Sequence, residues 1–188
     1  SGKRTKRTAM VVRQKASRKK SLLAGHQGVS RMEDKDAVEL NKNILIAVDD
    51  SDNSRRAVDY VGFLLGKVEG VQATLLHVIP EPEEDYFPEA EQKQRWIEGY
   101  RQRMTTVMAG YRQMLVQAGF PESAVAQEMP LRFCPSMAEC ILSERKQRSY
   151  GTVVVGRQGL SRKEEFLFGS ISSKIVNHAR HCAVWVVE

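Results

Sequence analysis

The chain has little of what usually announces chemistry. It holds only three cysteines, Cys134, Cys140 and Cys182, which form no C-x-x-C pair and no zinc spacing. A reduced protein in the cytoplasm is therefore the default expectation. Its four histidines are scattered, and no Ser–His–Asp or Cys–His constellation can be placed in one crevice. No P-loop Gly-x4-Gly-Lys-[Ser/Thr] occurs. No apolar stretch approaches the roughly 20 residues needed to span a bilayer, and no apolar signal-peptide core follows the basic start. Residues 1–42 contain no aromatic side chain, so base stacking from that segment is not expected. Residues 1–24 contain no acid.

Those first 24 residues do contain nine lysines and arginines, so a chain of net charge +6 carries −3 over its remaining 164 residues. The basic character belongs to a tail on a mildly acidic body. Residues 1–42 are expected to be an extension too polar to offset its own ordering entropy. Residues 43–188 are expected to form one domain. Three readings of residues 1–24 stand side by side. They are solvated; or they bind a polyanion such as RNA, DNA or a membrane surface; or they pack on a second protomer through Met10–Val12 or Leu22–Leu23.

From Asn43 the pattern changes. Ile44–Val48 is an uninterrupted apolar run of the kind buried on both faces of a parallel sheet. Asp49–Ser54 is rich in turn and cap residues, and Ala57, Val58, Val61, Leu64 and Leu65 follow at helical spacing. A second strand is expected over Ala73–Ile79, stopped by Pro80, then an acidic loop over Glu81–Pro88. A long helix over Ala90–Ala118 ends at Gly119, and a short strand lies within Ala124–Met129. Pro135 suits the first turn of a helix running to about Arg148. Thr152–Val155 is a fourth strand, about Ser170 to Arg180 a helix, and Ala183–Val187 the last strand. Alternating strands and helices imply an α/β fold: an open five-stranded parallel sheet, doubly wound. Ligands of such sheets bind beyond the strands' carboxyl ends at the switch in strand order. The Asp49 turn, the end at Val78 and the Gly156 loop should therefore meet in one crevice.

The strongest motif is Gly156-x2-Gly159-x9-Gly169-Ser170, with a strand before it and a helix after it. Without a Cβ the backbone N–H groups can approach phosphate oxygens, and the helix N-terminus favours negative charge. Ser170 would add a hydroxyl, as Ser172 would more weakly. The blander alternative is that Gly156 merely ends a strand and Gly169 merely opens a helix. His77 is expected as a packed core residue. Asp50 and Asp52 are expected as helix-capping groups, although with Asp49 they could also help to hold Mg²⁺.

With this motif, Ile46-Ala47-Val48-Asp49-x-Ser51 and Leu75-Leu76-His77-Val78, the chain resembles the ATP-binding branch of the universal stress protein family over roughly Asn43 to Glu188. The resemblance implies an adenine-nucleotide α-hydrolase-like fold. It implies that Asp49 lies near the nucleoside and that the main chain of Val78 meets the adenine edge. Val155, Gly156 and Gly159 would hold ribose and phosphates, and Gly169, Ser170, Ile171 and Ser172 the outer phosphates. Arg157 departs from the usual pattern and either pairs with phosphate or is solvated. Phe133 stands where the family often has glycine, and there it would narrow the pocket or cover the base.

The expected function is a cytoplasmic ATP-binding regulatory module, with Mg²⁺, AMP or ADP as further possibilities, in which occupancy biases a partner or oligomer surface. A homodimer is expected with Ala183–Val187 among its contacts, since an exposed apolar edge strand invites pairing. One alternative is a slow ATPase or adenylyl-transfer enzyme. Against it stands the lack of the Ser-Gly-Gly-x-Asp-Ser loop of ATP pyrophosphatases and the His-x-Gly-His of nucleotidyl transferases. Another is an adaptor whose basic tail binds a polyanion.

Overall fold

A computed structural model describes residues 41–83, 86–157 and 171–188, all within a compact unit that spans Lys35–Glu188. The basic tail, and the part of the glycine motif that contains Gly159, Gly169 and Ser170, lie outside the described residues. Five strands form a parallel sheet: β1 (Asn43–Ala47), β2 (Gln72–Leu76), β4 (Val125–Glu128), β6 (Thr152–Gly156) and β7 (Ala183–Val187). Their order is β4-β2-β1-β6-β7, and every pairing is parallel. The order reverses between β1 and β6, where Ile46 stands opposite Val154.

Because side chains alternate along a strand, each central strand feeds two cores. Ile44, Ile46, Ala73, Leu75 and Val154 face α1 (Asp52–Leu65) and α2 (Ala90–Ala118), meeting Val58, Val61, Met108 and Leu115. Leu45, Ala47, Leu76, Val153 and Val155 face α3 (Met137–Gln147) and α4 (Ile171–His178), meeting Ala138, Ile141 and Ile175. Helices on both faces make the sheet doubly wound. Among the described residues no helix is long and apolar enough to cross a membrane.

Three elements differ from expectation. The run Ala73–Ile79 is not one strand: β2 ends at Leu76, and β3 (Ile79–Pro80) pairs with β5 (Leu131–Arg132) in a separate two-stranded ribbon. Pro135 does not sit in the first turn of α3. The cap is Ser136, whose hydroxyl accepts from the Glu139 N–H at 3.3 Å, so Pro135 precedes it. The thiols of Cys134 and Cys140 are not both reduced; they are joined in a disulfide, with Cα atoms 5.8 Å apart. Their spacing matched no zinc or C-x-x-C pattern, and only the fold of the α3 entrance brings them together.

The C-terminal end of α2 is held tightly. Gly119 has φ +118° and closes a Schellman-type cap, its N–H reaching Val116 O (3.0 Å) while Phe120 N–H reaches Leu115 O (3.1 Å). A Cβ there would lie 2.7 Å from the Gly66 carbonyl oxygen at the end of α1. Gly119→Ala should therefore cost more than about 1 kcal/mol, because both backbone and neighbour resist it. In urea unfolding this appears as a lower midpoint with an unchanged slope.

Candidate functional site

Where β1 and its neighbours end, the sheet opens into a partly open cavity, at the carboxyl ends of the strands where doubly wound sheets take their ligands. Its floor is strand ends: Ala47, Val48 and Asp49 at the end of β1, Leu76, His77 and Val78 at the end of β2, and Val155 and Gly156 of β6. Ser54 of α1, Met137 and Ile141 of α3 and Ile171 of α4 complete the wall. The three segments expected to converge do so.

How β1 and β2 part decides what the cavity offers. Val48 N–H still donates to Leu76 O at 2.9 Å, continuing the ladder one step beyond the strand. The next rung of a parallel ladder in this register would run from Val78 N–H to Val48 O. Instead the Val48 carbonyl accepts from His77 Nδ1 at 2.7 Å. Among the described residues no hydrogen bond takes up the N–H or C=O of Val78, although the residue is only 3 % exposed. Buried backbone groups are nearly always paired, so an open main-chain edge facing a cavity is a place for a ligand.

His77 is the buried, hydrogen-bonded residue expected, and it also lines the cavity. The carbonyl partner requires a proton on Nδ1, which leaves Nε2 to accept from the Tyr100 hydroxyl at 3.1 Å. Burial holds the imidazole pKa below its ordinary 6.5, against the opposing pull of the Val48 carbonyl and the Asp49 and Asp50 carboxylates.

Asp49 is 7 % exposed, and its Oδ1 accepts from Ser51 N–H (3.0 Å), Ser51 Oγ (2.5 Å) and Ser54 Oγ (2.6 Å). Ser51 Oγ in turn accepts from Ser54 N–H at 3.2 Å and caps α1. Ser51, not Asp50 or Asp52, therefore caps this helix; Asp52 adds negative charge to its first turn. Among the described residues no hydrogen bond reaches Asp49 Oδ2. Behind the turn, Tyr111 Oη donates to Asp49 O at 2.9 Å, and burial together with the charges of Asp49, Asp50 and Asp52 pushes the phenol pKa up to about 12.

The other expected site residues divide. Val155, Gly156 and Ile171 line the cavity with Asp49 and Val78. Gly156 has a packing reason of its own: a Cβ would stand 2.8 Å from the backbone of Asn53, so glycine lets α1 lie close against the end of β6. Ser172 is buried, and its hydroxyl donates to Arg157 O at 2.8 Å, tying α4 to the exit of β6. The Arg157 side chain is not among the lining groups. It is exposed and paired with Glu188, which raises its pKa through that hydrogen bond and charge. Phe133 is 71 % exposed and does not line the cavity, so it neither narrows the pocket nor covers a base. Ser54, Met137 and Ile141 were not anticipated. Ser54 is the only one with a sequence signal, five residues after Asp49 in a turn already rich in cap residues. Among the described residues no cluster of three or more His, Cys, Asp or Glu side chains is arranged to hold a metal ion.

The family model of the universal stress protein family matches residues 40–188. The chain belongs to that family. Solved structures agree in fold. Universal stress protein UspA from Lactobacillus plantarum aligns with a TM-score of 0.62 at 20% identity, covering 78% of this chain and 97% of that one. A universal stress protein in complex with cAMP gives 0.55 at 18% identity, covering 78% and 95%. The Archaeoglobus fulgidus universal stress protein in complex with dAMP gives 0.54 at 16% identity, covering 78% and 97%. The chain matches no curated protein.

The lowered pKa of His77 carries a consequence for stability. In the unfolded chain the ring titrates near 6.5 and in the folded protein below it, so between the two values the unfolded state binds more protons. The contribution of His77 is complete above about pH 6.5 and lost as pH falls through the lowered value. Urea unfolding between pH 7.5 and 5.5 should show this loss. His77→Asn, which offers an N–H to Val48 without titrating, should flatten the slope, and an equal slope in both proteins would contradict it.

Proposed function

We propose that the chain is an adenine-nucleotide-binding regulatory module of the universal stress protein type. The observation that carries this reading is the open main-chain edge of Val78 beside an uncommitted carboxylate oxygen of Asp49. An N–H and a C=O on one residue match the acceptor and donor on an adenine edge, and a carboxylate oxygen accepts from ribose hydroxyls or a base amine. Two fold neighbours are complexes with cAMP and dAMP, which supports adenine as the base. Val155, Gly156 and Ile171 would flank the sugar and phosphates. Gly159, Gly169, Ser170 and Ser172 belong to the same proposed phosphate segment, while Arg157 would have to leave Glu188 to join it. ATP is the proposed ligand, with Mg²⁺ carried on its phosphates and AMP or ADP as smaller occupants. Both ring nitrogens of His77, the one histidine among the lining residues, are committed to structural hydrogen bonds, which favours ligand retention over turnover. A cytoplasmic site of action is part of the proposal.

Calorimetry with AMP, ADP and ATP, each with and without Mg²⁺, tests it. Binding at micromolar to millimolar nucleotide is expected, and Asp49→Asn should weaken it about 10- to 100-fold, the worth of a hydrogen bond to a charged acceptor. Absence of binding at millimolar nucleotide would reject the reading.

The module is further proposed to dimerise through the β7 edge. Tyr60 stacks edge-on against Trp185 at 6.3 Å between centroids, and Phe63, Leu64 and Val186 stand exposed on α1 and β7. Phe63 is 84 % exposed, a poor state for a large apolar ring unless something covers it. Light scattering at micromolar protein should give twice the chain mass, and Phe63→Glu with Val186→Lys should give one. The basic tail, residues 1–24, remains proposed as a contact for a polyanion or a second protomer.

A further inference from the structure

The disulfide joins two points that the proposed ligand site depends on. Cys134 stands two residues before the Ser136 cap of α3, and Cys140 stands four residues after it. In many helices a hydrophobic residue just before the cap packs on the fourth helical residue and fixes the angle at which the chain enters. Here a covalent bond does that work one position further out. The first helical residue it orients is Met137, and Ile141 follows Cys140; both line the cavity. Cys140 is buried in the same cluster as Ala47, Leu76, Val78 and Val155, so the bridge is anchored in the pocket's own core. Cys134 is half-buried and is the more accessible sulfur. Cleavage would leave α3 docked, because Arg132 keeps its ion pair with the buried Glu144 at 2.8 Å. Only the entry segment between them would be released.

We propose that Cys134–Cys140 is a reversible thiol–disulfide site that sets nucleotide affinity, the oxidised form holding Met137 and the first turn of α3 in the binding geometry. This rests on the nucleotide reading above. The reductant is a cellular dithiol or a pair of small thiols. One thiolate attacks Cys134 Sγ, the S–S bond breaks, and Cys140 leaves as a thiolate that takes a proton. The second thiol resolves the mixed disulfide, releasing Cys134 as a thiol and the reductant as its own disulfide. Two electrons and two protons pass to the protein, and a small-molecule disulfide reverses the exchange. Structural disulfides are rare in reducing compartments, where those present are usually transient or redox-sensing.

The test uses the full chain with Cys182→Ser, so that no third thiol takes part. AMP affinity is measured by calorimetry after equilibration with glutathione disulfide and again in a reducing phosphine. The oxidised form should bind at least fivefold more tightly, and a Cys134→Ser/Cys140→Ser variant should bind like the reduced form in both buffers. By reciprocity, saturating AMP should lower the pair's reduction potential by about 20 mV for a fivefold ratio. Affinities equal within twofold, or two alkylatable thiols at Cys134 and Cys140 after oxidation, would overturn the switch and leave the nucleotide reading standing. No AMP binding in either form would overturn both.

Discussion

The structure turns on one carbonyl, that of Val48. Up to that point β1 is sealed on both edges and both faces, with Leu45 and Ile46 almost wholly buried. A ladder that continued would have joined Val48 to Val78 and closed the end of the sheet. The imidazole of His77 takes the carbonyl instead, and the chain after Val78 leaves to form β3 against β5. Strand order already reverses at β1 and β6, so the unzipped edge opens into the crevice that doubly wound sheets leave there. A histidine suits this task because one ring can satisfy the carbonyl through Nδ1 and Tyr100 through Nε2. Burial lowers its pKa below 6.5 and so favours the neutral ring, in which Nε2 can accept from Tyr100.

The turn after β1 shows the same economy. One oxygen of Asp49 organises Ser51 and Ser54, and these in turn start α1 and fix the loop. The other oxygen has no part in that network and stays available. Asp50 stands nearby, so this side of the cavity is negative; burial first, and the Asp49 and Asp50 carboxylates after it, raise the Tyr100 and Tyr111 pKa values. A phosphorylated ligand would turn its anionic end away from it, toward Gly156 and the N-terminus of α4. The nucleoside end would then face Asp49 and Val78, as in the proposed nucleotide reading.

Much of this was legible in the sequence because it follows from periodicity. The limits of α2 at Ala90 and Ala118 and those of β7 at Ala183 and Val187 agree with the apolar pattern, and Gly119 marks its own left-handed cap. What was not legible depends on contacts between distant residues. Nothing in Leu75–Ile79 reveals that the strand breaks after Leu76, since the cause is a carbonyl 29 residues away. The exposure of Phe133 follows from the direction of the chain between β5 and α3, which composition does not encode. Gly156 was assigned to phosphate approach from its motif, yet its nearest constraint is the backbone of Asn53. Pattern alone could not separate these two reasons for one glycine.

The cavity is also notable for how its two walls are held. The Asp49 side rests on a hydrogen-bonded turn tied to the start of α1 through Ser51 and Ser54. The α3 side rests on Met137 and Ile141, apolar residues without directional bonds, whose position depends on how the chain enters the helix. Apolar contact alone specifies position loosely, because many arrangements bury similar area. A covalent tie at that entrance therefore adds what the packing lacks, and it does so on the wall where a change of position would be felt by a bound base. On the proposed reading, the polar wall would identify the ligand and the apolar wall would tune its affinity, so that affinity could vary without loss of specificity.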